Sequence, residues 1–144
     1  ALVARGFPTH GAELDLTGEP DLAPVLCALA AGAAWRVGAT TVLRGLATLP
    51  GKESDRLAVL ATALGELGLA VYPGVDSLRI AAGARPAAEV PPLDPHGDHR
   101  MAFAFALLGL LRPGVLVREP RCVAKSWSGF WGALQGVGAE LLHG

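Results

Sequence analysis

The pattern of apolar and polar positions changes period several times along the chain, and the changes mark its elements. AELDL at 12–16 alternates and predicts a half-buried strand. Gly18, Glu19 and Pro20 break it, and Asp21 is expected to open a helix carrying Leu22, Val25, Leu26 and Leu29 on one face. Gly38 ends this stretch, TTVL at 40–43 is strand-like, and GLATLPG is a loop leading to KESDR at 52–56. Leu57, Leu60, Leu64 and Leu67 then recur at helical spacing, with Gly68 as a natural C-cap. LAVYP and SLRIA, joined by Gly74 to Asp76, predict a hairpin.

The order then restarts. A proline-rich linker, GARPAAEVPPLDP, leads to Asp98, His99 and Arg100, followed by the run MAFAFALLGLL without one polar side chain. This predicts a buried helix with Asp98 as N-cap or first-turn acid. VLVRE at 115–119 is expected to be the next strand, and Trp127, Phe130, Trp131, Leu134 and Val137 a second periodic helix after Lys125. Asp21 to Lys52 spans 31 residues and Asp98 to Lys125 spans 27. The chain therefore reads as an α/β protein built from repeated βαβαββ units. Unit one covers about 11–83; unit two, about 88–144, lacks its closing hairpin.

Composition sharpens this picture. With 144 residues the chain can bury a core, yet 51% hydrophobic content and a mean hydropathy of +0.42 are high for a free-standing domain. Several helices buried all round, or a missing packing partner, account for the excess. No apolar run reaches the ~20 residues of a membrane span, and no signal stretch opens the chain, so a soluble, cytoplasmic protein is expected. A net charge of −1 argues against a nucleic-acid surface. Cys27 and Cys122 lie far apart without metal-ligand spacing, and Cys27, in an apolar helix, is expected to be a buried free thiol. The first residue is alanine, so the chain is expected to start by processing or excision.

The charges concentrate at the starts of the expected helices: Asp21; Lys52, Glu53 and Arg56; Asp98, His99 and Arg100; and Lys125. Of twelve basic residues only Lys52 and Lys125 are lysines, each before an expected helix. Free N–H groups and the dipole at a helix start attract anions. If equivalent ends of a repeated unit point one way, Lys52, Arg56, Arg100 and Lys125 surround a polyanion, with Asp21 and Glu53 able to move protons inside the ring. Simpler readings stand beside these. Asp55 is better read as first-turn helix stabilisation, and on spacing alone Arg56 is as readily a surface salt bridge. His10, His96 and His143 read as solvated residues.

LPGKESDRLAVL, DPHGDHRMAFAFALL and RCVAKSWSGFWGAL, in this order and with EPDLAP upstream, resemble the C-terminal part of 5-enolpyruvylshikimate-3-phosphate synthase. The resemblance runs from about Glu13 to Leu142. It implies the enolpyruvyl transferase fold, in which units of this kind form an inside-out α/β barrel domain. It also implies transfer of the enolpyruvyl group of phosphoenolpyruvate to the 5-hydroxyl of shikimate 3-phosphate, with release of phosphate and without metal or organic cofactor. By the same resemblance, Asp21 matches the proton acceptor and Glu53 a candidate proton donor. Lys52 matches a contact to shikimate 3-phosphate. Arg56, Arg100 and Lys125 match the clamp on phosphoenolpyruvate, with His99 beside them.

There are departures: Pro50 and Thr48 stand where the family often has arginine and asparagine, Ser128 where proline is common, and an insertion is expected around Ala34 to Val37. Family members are about three times longer, so the chain is expected to be a partial C-terminal domain, inactive without the N-terminal portion and prone to self-associate. Two alternatives stay open: a non-catalytic anion-binding fragment, and UDP-N-acetylglucosamine enolpyruvyl transferase, which shares the fold.

Overall fold

A computed structural model describes residues 8–83 and 89–142. Part of the 83–95 linker and His143 lie outside them. In order, the elements are β1 (Glu13–Asp15), α1 (Ala23–Val37), β2 (Thr41–Arg44), α2 (Arg56–Glu66), β3 (Ala70–Pro73), β4 (Leu78–Ala81), α3 (His99–Leu111) and α4 (Phe130–Gly136). Short 3-10 turns at Pro20–Leu22, Leu49–Gly51 and Pro120–Lys125 precede α1, α2 and α4. The four strands form one mixed sheet in the order β1-β2-β4-β3. β1 and β2 are parallel and joined through α1; the other two pairings are antiparallel, with Tyr72 opposite Arg79 in the expected hairpin.

The sheet topology sets where chemistry can occur. Because β1 and β2 run parallel, the loops leaving their C-terminal ends emerge on the same edge of the sheet. In open α/β sheets this edge is where ligands bind. The first loop carries Asp21 and the second carries Lys52 and Glu53. Gly45 lets the two loops pass closely: its φ is +74°, and a Cβ there would lie 2.4 Å from the Thr17 backbone nitrogen. The Leu46 amide donates to the Asp76 carbonyl at 2.8 Å, tying the second loop to the β3–β4 turn.

Local signals place α2 and α3 well. Asp55 caps α2, accepting from the Ala58 amide at 3.0 Å, and Leu57, Leu60, Leu64 and Leu67 are all buried. Asp98 caps α3, accepting from the Arg100 amide at 3.0 Å. α3 is buried on two sides. Met101, Phe105 and Leu108 join the main core beneath α1 and the sheet, while Ala102 and Ala106 pack on Val123 and Phe130.

Three expectations need correction. The helix after Asp21 begins at Ala23, two residues later, and of its expected leucine–valine stripe only Leu26 packs on the core. Leu22, Val25 and Leu29 are exposed; Ala23, Cys27, Ala30, Ala31 and Ala34 are buried instead. α1 packs closely against both α3 and the sheet, and only small side chains fit between: a Cβ on Gly32 would meet Leu111 at 3.2 Å. Residues 34–37 form the last turn of this helix, closed by Gly38 at φ +67°. Next, 115–119 forms no sheet strand. Val117 makes a single parallel bridge to Leu93, because among the described residues no second strand lies alongside. Finally, Lys125 does not open a helix; it ends the Pro120–Lys125 turn, and α4 starts at Phe130.

The packing of α1 predicts opposite outcomes for two substitutions of similar chemistry. Ala31→Leu, at a fully buried position, is expected to cost about 1–3 kcal/mol through overpacking. Leu29→Gln, on the exposed face, is expected to stay within about 0.5 kcal/mol of the parent. Urea unfolding of both variants checks this.

Candidate functional site

The candidate residues converge on the sheet edge formed by the ends of β1 and β2, where the start of α3 meets them. The link is Arg56, the first residue of α2, whose side chain is 3% exposed. Its Nε donates to Asp98 Oδ2 at 2.7 Å and its Nη2 to Asp98 Oδ1 at 3.2 Å. The third nitrogen, Nη1, donates to Asp21 Oδ1 at 2.8 Å. Arg56 is thus a buried bridge between two carboxylates, not the surface salt bridge its spacing allowed. Paired, hydrogen-bonded burial of this kind is what makes a buried charge tolerable.

Around this bridge lies a ring of more accessible charges. Asp21, about one-third exposed, also approaches Lys52 Nζ at 3.3 Å and Arg100 Nη2 at 3.4 Å. Three cations therefore share one carboxylate. Glu53 sits on the other side, 3.3 Å from His99 Nδ1 and 3.8 Å from Lys125 Nζ. Lys125 is held in place by donating to the Gly97 carbonyl at 3.1 Å. The His99 ring stacks edge-on against Phe103, which touches Trp127 and Phe130 in turn. Asp21, Lys52, Glu53, Arg56, His99, Arg100 and Lys125 thus form one linked cluster, drawn from four separated segments. His10 and His96 lie exposed elsewhere.

Sequence reasoning missed part of this arrangement. Asp98 was legible as an N-cap, but its ion pair with a side chain 42 residues away was not. Ser54, whose Oγ donates to Asp98 Oδ2 at 3.1 Å, carried no signal of its own.

The electrostatics follow from these contacts. Burial pushes the Asp21 carboxyl upward, but the Lys52 hydrogen bond and the charges of Arg100, Lys52 and Arg56 outweigh it and hold the group below its ordinary value. Burial likewise acts against ionised Asp98, and Arg56, with the Arg100 amide and Ser54, again prevails. Both are held as carboxylates. Cys27, fully buried without such partners, is pushed upward and stays a thiol. Glu53, Asp98 and His99 place one potential metal-ligand atom each within 4.8 Å of one another. Both Asp98 oxygens already accept from Arg56, so a cation there would have to break the buried pair.

This arrangement gives a pH dependence whose sign is fixed. Asp21 and Asp98 have folded-state values below the ordinary 3.8, so the unfolded chain binds more protons as acid is added. Their stabilisation is complete above about pH 4 and is lost as pH falls through the lower folded values. Denaturant unfolding at steps from pH 6 to 2.5 is expected to show a steep loss below about pH 4, reduced in Asp98→Asn relative to its own stability at pH 6.

Known proteins resemble this chain in sequence and in fold. The profile of the family described as EPSP synthase (3-phosphoshikimate 1-carboxyvinyltransferase) matches residues 1–134. The 3-phosphoshikimate 1-carboxyvinyltransferase of Methanoculleus marisnigri is 44% identical over 136 residues, covering 94% of this chain and 31% of that protein. The relative from Methanosphaerula palustris is 40% identical over the same share of this chain. Among solved structures, EPSP synthase from Acinetobacter baumannii aligns with a TM-score of 0.67 at 31% identity, over 83% of this chain and 27% of that one. The chain spans about 30% of the length of the curated relatives it matches. With its mixed α/β architecture and the profile match over 1–134, the chain belongs to the EPSP synthase (3-phosphoshikimate 1-carboxyvinyltransferase) family.

Proposed function

We propose that this chain supplies one wall of an enolpyruvyl transferase site, acting with the remainder of the enzyme on phosphoenolpyruvate and shikimate 3-phosphate. The observation that carries this is the ring itself: four cations and two accessible carboxylates on one sheet edge. Both substrates are polyanions, and a preorganised positive ring favours their binding and the charge that develops in reaction. Arg100 and Lys125, the most exposed cations, hold the phosphate and carboxylate of phosphoenolpyruvate, and Lys52 meets shikimate 3-phosphate. Arg56 joins the clamp once an anion takes the place of Asp21 at its Nη1.

The chemistry then balances within the ring. Asp21, held ionised, accepts the proton of the attacking 5-hydroxyl as its oxygen bonds to the central carbon of phosphoenolpyruvate. Glu53 delivers a proton to the methylene carbon, giving a tetrahedral adduct. Phosphate then leaves and carries away the proton held by Asp21, and one methyl proton returns to Glu53, which restores the double bond in the product and both carboxyl groups to their starting states. His99 and Lys125 contact Glu53 and orient it for both transfers.

A non-catalytic anion-binding fragment accounts for the cations but not for Asp21 and Glu53 among them. Phosphate release by this chain combined with the remainder of the enzyme tests the proposal. Turnover is expected with shikimate 3-phosphate and not with the UDP-sugar acceptor, and none from the isolated chain. In the combined enzyme, Arg100→Ala and Lys125→Ala are each expected to weaken phosphoenolpyruvate binding by roughly ten- to a hundred-fold, the effect of ~1.5–3 kcal/mol per charge-assisted contact. Unchanged kinetics in both variants would remove them from the site.

The surface supports a partner as well. Among the described residues an exposed apolar stripe runs from Leu22, in the turn before α1, along Val25, Leu29 and Val37 of α1, with Leu14 on the β1 edge. Among the C-terminal aromatics, Phe130 is buried and Trp127 is half-exposed. Without its partner the chain is expected to self-associate through this stripe. Sedimentation over a dilution series checks this, and a monodisperse monomer at high concentration counts against it.

A further inference from the structure

We propose that Asp98 is the positioning residue of the anion site: it holds Arg56 and the start of α3 in register, and anion affinity depends on that geometry more than on net charge. This inference rests on the anion-site reading above. Asp98 is completely buried. Its four acceptor contacts come from three places: two from the Arg56 guanidinium, one from the Ser54 hydroxyl and one from the Arg100 amide. One carboxylate therefore fixes the first residue of α2, the loop that carries Lys52 and Glu53, and the first turn of α3 that carries His99 and Arg100.

The geometry of Arg56 shows what this achieves. A guanidinium free to rotate could turn any edge toward Asp21. With Nε and Nη2 both bonded to Asp98, the plane of the guanidinium is fixed and Nη1 points at the ring, 2.8 Å from Asp21. The bidentate fork of Arg against a carboxylate is directional in a way a point charge is not. Ser54 secures the carboxylate on the loop side, so the fork cannot swing with Arg56.

Charge alone predicts the opposite outcome when Asp98 is neutralised, and this makes the inference testable. The cluster holds four cations, Lys52, Arg56, Arg100 and Lys125, against three carboxylates, Asp21, Glu53 and Asp98. Asp98→Asn raises its net charge from +1 to +2. If the ring acted as a summed field, an anion should bind more tightly. If Asp98 positions the ring, the anion should bind more weakly.

The experiment is a titration of the chain with inorganic phosphate followed by amide NMR, in the parent, Asp98→Asn, Asp98→Glu and Ser54→Ala. The Arg56 Nε–H signal is recorded in each as a direct readout of the fork. Positioning predicts roughly ten-fold weaker phosphate binding in Asp98→Asn, with the Arg56 Nε–H signal lost to exchange. Ser54→Ala, which removes one neutral donor, should shift both readouts the same way by a smaller amount. Asp98→Glu, with its charge kept and its reach changed, should restore the signal in part. Equal or tighter phosphate binding in a folded Asp98→Asn overturns the inference while the anion site stands. If Asp98→Asn does not fold, unchanged affinity and an unchanged Arg56 signal in Ser54→Ala overturn it instead. A parent chain that binds no phosphate at all is the distinct failure of the anion-site reading, and it removes this inference with it.

Discussion

The buried pair between Arg56 and Asp98 joins the two halves of this structure. α3 begins 33 residues after α2 ends, and their first turns meet through one guanidinium and one carboxylate, both almost wholly removed from water. Desolvating two ions is unfavourable unless the remaining hydrogen-bonding capacity is filled. Here it is: Asp98 accepts from Arg56 twice, from Ser54 and from a backbone amide, and no described buried side-chain nitrogen or oxygen lacks a partner. Such a pair adds little net stability over an apolar contact of the same size. It specifies one relative placement of the two helix starts, which an apolar contact would leave loose.

That placement depends on the packing beneath it. α3 reaches the site only because it lies deep against α1, with its apolar side chains shared between two clusters. The depth is set by the alanines and Gly32 of α1, which keep the helix thin where Leu111 and the sheet press on it. Larger residues there would push α3 outward and separate Asp98 from Arg56. The site is therefore held by small side chains that take no part in its chemistry, and they leave Val25, Leu29 and Val37 of α1 on the outside.

The accessible charges divide the remaining work. Asp21 draws three cations toward one point, while Glu53 stands apart with His99 and Lys125. Two carboxylates a few residues from lysines thus meet different surroundings. The one crowded by cations is held ionised; the other is paired with a lone lysine and an imidazole.

Features carried within a turn or two of chain were legible in the sequence. These include the Asp55 and Asp98 caps, the glycine stops at Gly38 and Gly68, the leucine face of α2 and the Tyr72–Arg79 hairpin. Each depends on neighbours at fixed sequence spacing. The ordered motifs also marked the family and the charged side chains that the fold gathers. Other features depended on what lay across the fold. Whether the leucines or the alanines of α1 were buried turned on how near α3 and the sheet approach. VLVRE had strand-like residues but only Leu93 to bridge, and a strand cannot form without a partner. The second role of Asp98 lay beyond reach for the same reason: an N-cap is written into adjacent residues, whereas a buried ion pair exists only once folding has brought Arg56 to it.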